Sequence, residues 1–338
     1  MRPSSLRLQQ SSVRLSELSF PSTCLLVPRT RLVFVHLDNL LSFAMRDRDG
    51  KVDAWLAGYL PDEVILLFFR KGEVINAGRI GAHDRGLIAV SEALRRLRSD
   101  PERTMACYGA APMEQLQWMY ASCAGPARMR FADVLHPEQL WPVLRTEGYS
   151  GVLEFIARGR VHYLRFEDGR FAWGHFCDKP EALSVSQFMA SQFEPLPDGQ
   201  IPPIAASEIP EGGEIPVQAS ISQVRVYREV YQRIARAVEA ELPAEGRRKI
   251  SRASTTVATA QPDFDVLAAD HSEVEPGSPV SSEVLTASLA GWAALLLQDV
   301  ELVSPGTAER VIRETTRSNR FMLQAAGFYA RLPWVIDW

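Results

Sequence analysis

The stretch "VHYLRFEDGRFAWGH" (Val161–His175) decides how the first two thirds of this chain are read. Two runs rich in β-branched and aromatic residues flank Asp168-Gly169. An Asp-Gly pair between such runs is a strong two-residue hairpin signal, because the type I′ turn needs positive φ at both positions. Just upstream, "GVLEFIA" (Gly151–Ala157) is a further strand, joined through the tip Arg158-Gly159. The stretch therefore reads as a three-strand antiparallel meander.

The same pattern occurs earlier. "VILLFFRKGEVINAG" (Val64–Gly78) matches it at a constant offset of 97 residues, Val64 falling on Val161. Identities at that offset are Leu56/Leu153, Val64/Val161, Leu67/Leu164, Phe69/Phe166 and Gly72/Gly169. The first copy turns at Lys71-Gly72, where Lys suits positive φ less well than Asp. Gly72, Asp168 and Gly169 are thus assigned as structural turn residues. In the third strand, alternation places Phe171 and Trp173 on one face and Ala172 and Gly174 on the other. Gly174, matching Ala77, is expected to let the following helix approach the sheet.

Each meander has helical neighbours. "FVHLDNLLSFAMRDRDG" (Phe34–Gly50) precedes the first and "FADVLHPEQLWPVLRTEG" (Phe131–Gly148) the second. Downstream, Leu87, Val90, Leu94 and Leu97 in one copy, and Val185, Phe188 and Met189 in the other, recur at helical spacing. A returning strand follows each helix, "TMACYGA" (Thr104–Ala110) and "IPPIAASEI" (Ile201–Ile209). The expected fold class is α+β: two tandem helix/antiparallel-meander/helix domains followed by an all-α C-terminal domain.

The boundaries follow from composition. Residues 1–31 hold five Arg and one acid, with many Ser. That is the composition of a transit peptide, or of an upstream extension read from an early start codon; the second is the expectation, with no ordered role. The first α+β domain is placed at 32–130, with a loop near Ala124–Arg128, and the second at 131–218. The second is closed by the Pro- and Gly-rich Pro195–Pro216. The helical domain is placed at 219–338. There Val224, Tyr227, Val230, Tyr231, Ile234 and Val238 mark one amphipathic helix. A polar, turn-rich connection is expected at 251–281, then two helices near Glu283–Gln298 and Gly306–Ala326, separated at Ser304-Pro305-Gly306.

The repeat core "YSGVLEFIARGRVHYLRFEDGRFAWGHF" (Tyr149–Phe176) resembles bacterial PATAN-type domains, whose function is unknown. The family pattern of a short helix, "tGxL", a hairpin, an aromatic, "(D)Gxlxxa" and an amphipathic helix is met by Gly151-Val152-Leu153 and by Phe166-Glu167-Asp168-Gly169-Arg170-Phe171. The first copy lacks the opening "tG", having Val52-Asp53-Ala54, and keeps Phe69, Gly72, Val74 and Ala77. The likeness spans roughly residues 32–218. It implies a non-enzymatic regulatory or adaptor role beside response-regulator receivers and other signalling components, and it supplies no catalytic residues.

The 338 residues are 46% apolar and 23% charged, with a formal net charge of −4. That is a globular composition without the basic surplus typical of nucleic-acid binders, so no nucleic acid is expected as partner. Arg is abundant and Lys scarce, the codon signature of a GC-rich bacterial genome. Cys24, Cys107, Cys123 and Cys177 form no CxxC pair, which fits a reducing cytoplasm. No apolar run is long enough to span a bilayer.

No Walker loop, GxGxxG, HExxH or GxSxG occurs. "GRIGAHDRG" (Gly78–Gly86) reads as a loop before a helix, and "DRDG" (Asp47–Gly50) as a turn lacking the spacing of a calcium loop. His162, His175 and Cys177 lie on neighbouring strands, but an aromatic setting favours core packing over a metal. No catalytic, cofactor-binding or metal residues are assigned, and no cofactor is expected. The inverted charges of the two tips, Arg70-Lys71-Gly72-Glu73 and Glu167-Asp168-Gly169-Arg170, read first as solvated turns whose charge has drifted; the alternative is that the tips meet or present unlike surfaces to two partners.

The expected function is a cytoplasmic bacterial signalling adaptor that binds a protein, a response regulator being one candidate. Tyr163, Arg170 and Trp173 on the second meander, and Trp334 and Trp338 in the aromatic tail, are the expected partner contacts. The tail itself is expected to fold back on the core. The alternatives are a small-molecule sensor or enzyme with a pocket between domains, and a homo-oligomer.

Overall fold

The computed structural model describes residues 14–82, 84–125, 128–129, 137–197, 199, 202, 204–210, 213–268 and 279–338, without the side chains of 128, 129 and 137–139. Outside these lie 1–13, the start of the second upstream helix, much of the loop near Ala124–Arg128, parts of the Pro-rich segment, and 269–278. The chain divides into two units, Met1–Ile215 and Pro216–Trp338.

The first unit is α+β and holds both repeats. Its first sheet is formed by β1 (Cys24–Arg31), β2 (Ala54–Tyr59), β3 (Glu63–Arg70), β4 (Glu73–Gly81), β5 (Arg85–Ile88) and β6 (Met105–Ala110), in the order β1-β6-β2-β3-β4-β5. The second is formed by β7 (Arg128–Met129), β8 (Gly151–Ala157), β9 (Arg160–Glu167), β10 (Arg170–His175) and β11 (Ile204–Ile209), in the order β10-β9-β8-β11-β7. All of these pairings are antiparallel. In both sheets the meander is followed by a strand that returns beside its first strand.

The repeat extends to single hydrogen bonds. The amide of Lys71 donates to Asp53 Oδ1 at 2.9 Å, and that of Asp168 to Ser150 Oγ at 2.9 Å. The amide of Gly72 donates to Val52 O at 3.1 Å, and that of Gly169 to Tyr149 O at 2.8 Å. Both tips have φ positive at both residues: 49° and 83° at Lys71-Gly72, 47° and 73° at Asp168-Gly169. Lys71 is thus held in a conformation that disfavours a Cβ by about 1–2 kcal/mol. Gly169 is further constrained by the helix end, since a Cβ there would lie 2.5 Å from Arg145 Cα.

The outer face of the first sheet is closed by α1 (Leu37–Arg46) and α2 (Val90–Ser99), through Leu40, Ala44, Ala93 and Leu97. The outer face of the second carries α4 (Pro137–Thr146) and α5 (Val185–Ser191). Ser184 opens α5 with a capping box to Gln187. Between the inner faces runs α3 (Met113–Ala124), buried on most of its circumference at Gln115, Leu116, Trp118, Met119, Ala121, Ser122 and Cys123. One apolar cluster joins Trp55, Tyr59 and Phe68 of the first repeat to Val152, Ile156 and Tyr163 of the second. The two repeats therefore share a core.

Several expectations are corrected. Residues 14–31, read as an unordered extension, are built into the fold. Leu18 and Phe20 are buried in the shared core, and β1 pairs with β6. Ser19 donates to Gly159 O at 2.8 Å and accepts from the amide of Val161 at 2.9 Å. Compositional bias outweighed three apolar residues at 15, 18 and 20. Arg85–Ile88 is a strand, not the loop and helix start expected. Leu87 accordingly packs with the shared core while Leu94 faces the outer one. The returning strand expected at Ile201–Ile209 is present at Ile204–Ile209, within the Pro-rich closure, paired with β8. Arg70 does not seek the second tip; its guanidinium pairs with Glu214 at 3.0 Å and donates to Ile215 O at 2.9 Å.

The second unit is helical. It comprises α6 (Ile221–Glu241), α7 (Gly246–Ala260), α8 (Ser282–Val303), α9 (Thr307–Thr316) and α10 (Arg320–Ala325). Tyr227, Val230, Ile234 and Val238 of α6 meet Leu285, Leu289, Trp292 and Leu296 of α8. The helix α7 corrects the expected polar connection at 251–281: Ala253 and Val257 are buried, and Ser254 Oγ accepts from Trp292 Nε1 at 3.1 Å. Gly306 breaks the chain at φ 81°, and the Glu301 carboxylate caps α9 through the amides of Gly306 (2.6 Å) and Ala308 (2.9 Å). Those donors lower the pKa of Glu301. The tail folds back: Phe328 is fully buried, and Trp334 and Ile336 pack on the same core.

Leu18 supplies a test of the N-terminal segment. Leu18→Ala removes a fully buried side chain and is expected to destabilise the first unit by about 2–4 kcal/mol. The urea midpoint measures this; an unchanged midpoint would return residues 14–20 to the status of a dispensable extension.

Candidate functional site

The five expected partner contacts fall in three settings. Tyr163 is a correction: it is 1% exposed, its hydroxyl donates to Glu154 Oε2 at 3.4 Å, and no partner can reach it. It belongs to the seam between the repeats. Trp334 is partly buried on the helical core. Trp338 is 47% exposed, edge-on to Tyr329 at 5.4 Å and beneath the Arg320 guanidinium at 5.6 Å. Arg170 and Trp173 lie on β10, the outermost strand of the second sheet, where the chain presents a groove.

That groove has a volume of about 920 Å³ and lies between α4, α5 and the outer face of β9 and β10. Its floor is Trp141, Leu164, Phe166, Phe171 and Met189. Trp141 stacks on Phe166 at 5.7 Å, and Phe171 meets Phe166 edge-on at 6.1 Å. Arg145 and Arg170 stand on its lining. Among the described residues neither guanidinium has an ion-pair partner.

The repeats differ locally in two ways. The helix α5 has 7 residues where α2 has 10. Leu97 of the longer helix lies over Gly58; in the second repeat Phe193, just past α5, packs on the matching Phe155 at 5.6 Å, and the groove lies further along β9. The second difference is β5, which extends the first sheet past β4 and has no counterpart beside β10 among the described residues.

A bulge decides how β10 is displayed. Phe171 pairs with Phe166 and Trp173 with Arg165, so Ala172 is the extra residue. The expectation that Phe171 and Trp173 share a face is therefore corrected. Phe171, 38% exposed, faces the groove, while Trp173, 41% exposed, turns inward and donates from Nε1 to Glu114 Oε2 at 3.1 Å. Gly174 is small because of the neighbouring strand, not a helix: a Cβ there would lie 2.5 Å from Tyr163 O.

His162, His175 and Cys177 do not assemble a ligand set, and among the described residues no group of three or more metal-ligating side chains occurs. His162 is enclosed by Phe155, Phe176 and Phe188, and its Nδ1 accepts the amide of Cys177 at 3.1 Å. Burial, with Arg160 nearby, pushes its pKa down to about 3. His175 rests on Trp118 at 5.1 Å, with Glu114 3.4 Å away. Burial of Cys177 raises its thiol pKa well above the usual range.

The strongest electrostatic feature lies at the seam. Arg85 Nη1 donates to Glu154 Oε2 at 2.9 Å, with both side chains almost wholly buried. Burial opposes the Arg85 charge, Glu154 more than offsets it, and the net shift of Arg85 is upward. Sequence reading missed this pair because its members are 69 residues apart and on different repeats. Burial also raises the pKa of Tyr163 beside it. A charge pair so enclosed holds two surfaces together and is inaccessible to a substrate.

Searches of family models, of curated proteins and of solved structures each return no match to this chain. Among the described residues no helix is long and apolar enough to cross a membrane.

Two predictions follow from these buried groups. Glu154→Leu leaves the Arg85 guanidinium buried without its counter-ion and is expected to cost about 3–5 kcal/mol. The double variant Arg85→Met, Glu154→Leu should recover most of that loss in chemical denaturation, since a well-packed apolar pair replaces an ion pair at little net cost. The second concerns His162, which is neutral in the fold and protonated in the unfolded chain below pH about 6.5. Its contribution is complete above that pH and falls away as pH drops towards 3, by up to about 1.4 kcal/mol per pH unit. His162→Gln should flatten the stability profile between about pH 6 and 5, where few carboxylates titrate; an unchanged profile would assign the acid sensitivity elsewhere.

Proposed function

We propose that this chain is a non-enzymatic adaptor of bacterial signal transduction, working in the cytoplasm by binding a protein partner such as a response regulator. The groove on the second repeat and the adjoining strand β10 are the proposed docking surface. The carrying observation is the asymmetry between the repeats. The outer face of the first is closed by α1 and α2, while the same face of the second exposes an apolar floor beside Arg145 and Arg170, which have no ion-pair partner among the described residues. Exposed aromatics beside Arg are the residue types that dominate protein interfaces. The likeness of the repeats to PATAN-type domains supports the signalling context.

The tail is a lesser candidate, because Phe328, Trp334 and Ile336 are already spent on its own core. Affinity capture from the source cell, read by mass spectrometry, separates the two surfaces. Arg170→Glu and Phe171→Asp are expected to lose a partner that the parent chain and Trp338→Ala retain, with circular dichroism unchanged. Loss confined to Trp338→Ala would move the docking site to the tail.

A further inference from the structure

Resting on that reading, we propose that the partner docks as an extended segment, antiparallel to β10, and that this segment carries acidic side chains next to apolar ones. The first repeat shows the geometry within the chain itself. There β5 lies antiparallel on the outer edge of β4, with Ala77 opposite Ile88, Gly78 opposite Leu87, Arg79 opposite Gly86 and Ile80 opposite Arg85. The matching edge in the second sheet is β10, which ends the sheet. Among the described residues, Phe171–His175 form no backbone hydrogen bonds beyond those to β9. An edge strand with a free row of donors and acceptors templates a further strand.

Side chains define what that strand carries. An added strand at β10 would pass beside Phe171, so its apolar residues on that face would enter the groove over Phe166 and Met189. Arg145 and Arg170 line the same groove and have no ion-pair partner among the described residues, and charge complementarity calls for carboxylates there. On the opposite face Trp173 is 41% exposed and gives the strand a second apolar contact. The bulge at Ala172 makes this two-sided display, because it sends Phe171 and Trp173 to opposite faces. A helical segment could fill the groove but would leave the backbone edge unpaired.

The test selects phage-displayed random-sequence peptides on the full-length chain, then measures synthetic versions of the selected peptides by fluorescence anisotropy and amide hydrogen exchange. Selected peptides are expected to combine acidic and apolar residues and to slow exchange at Phe171–His175. They should bind Arg170→Glu about tenfold or more weakly, the loss of one charge-assisted hydrogen bond. Replacing their acidic residue with Lys should restore binding to that variant. Two results overturn the strand model while leaving the docking surface in place. One is a set of peptides that lose binding with Phe171→Asp yet leave exchange at β10 unchanged. The other is a set that binds as helices or without acidic residues. If no peptide is selected, or if binding is indifferent to both Phe171→Asp and Arg170→Glu, the strand model and the docking surface fall together. Circular dichroism of each variant confirms that it is folded; both substituted residues are exposed.

Discussion

The seam of the first unit encloses an ion pair between Arg85 of the first repeat and Glu154 of the second, neither of which can be lost alone. Two charges removed from water are tolerable only if each is the other's counter-ion and the remaining polar atoms find partners. Ser122 of α3 and the hydroxyl of Tyr163 stand beside the pair. The pair brings β5, α3 and β8 together at the seam. It also explains why the repeats are not beads on a string. Strand faces that would be solvated in an isolated repeat carry Val152, Ile156 and Tyr163, which only the other repeat and α3 can cover.

A consequence is that the two copies have been released to differ on their outer faces. The first keeps a full helix over the sheet and an extra strand along its edge. The second has a helix shorter by about one turn and a bare edge. The second copy keeps its core where Phe193 packs on Phe155, in the place of Leu97 on Gly58, and opens an aromatic-floored groove further along β9, at Leu164 and Phe166.

The helical unit follows simpler rules. Its long helices α6 and α8 bury stripes at helical spacing, with Trp292 between Tyr231 at 4.3 Å and Phe264 at 6.3 Å. Buried polar groups are matched locally, Tyr227 to Thr286 at 2.6 Å and Tyr329 to Thr316 at 2.9 Å. The aromatic tail completes this core, and at its end Val335 and Trp338 remain exposed.

The sequence by itself determined the repeat, the three hairpin tips and the α+β class. These are local properties: positive φ at Lys71-Gly72, Arg158-Gly159 and Asp168-Gly169, and apolar periods of two or near four. It also determined most of the helical unit, whose contacts are made by regular stripes. It did not show that Tyr163 is sealed, that Phe171 and Trp173 part at a bulge, or that residues 15–20 complete the core. Burial of Tyr163 depends on a helix and a sheet supplied by distant chain segments. A bulge depends on the partner strand's register, which alternation in one strand cannot report. The groove is likewise a property of tertiary structure alone, because a surface opens where a covering element is missing, and only packing shows what each element covers.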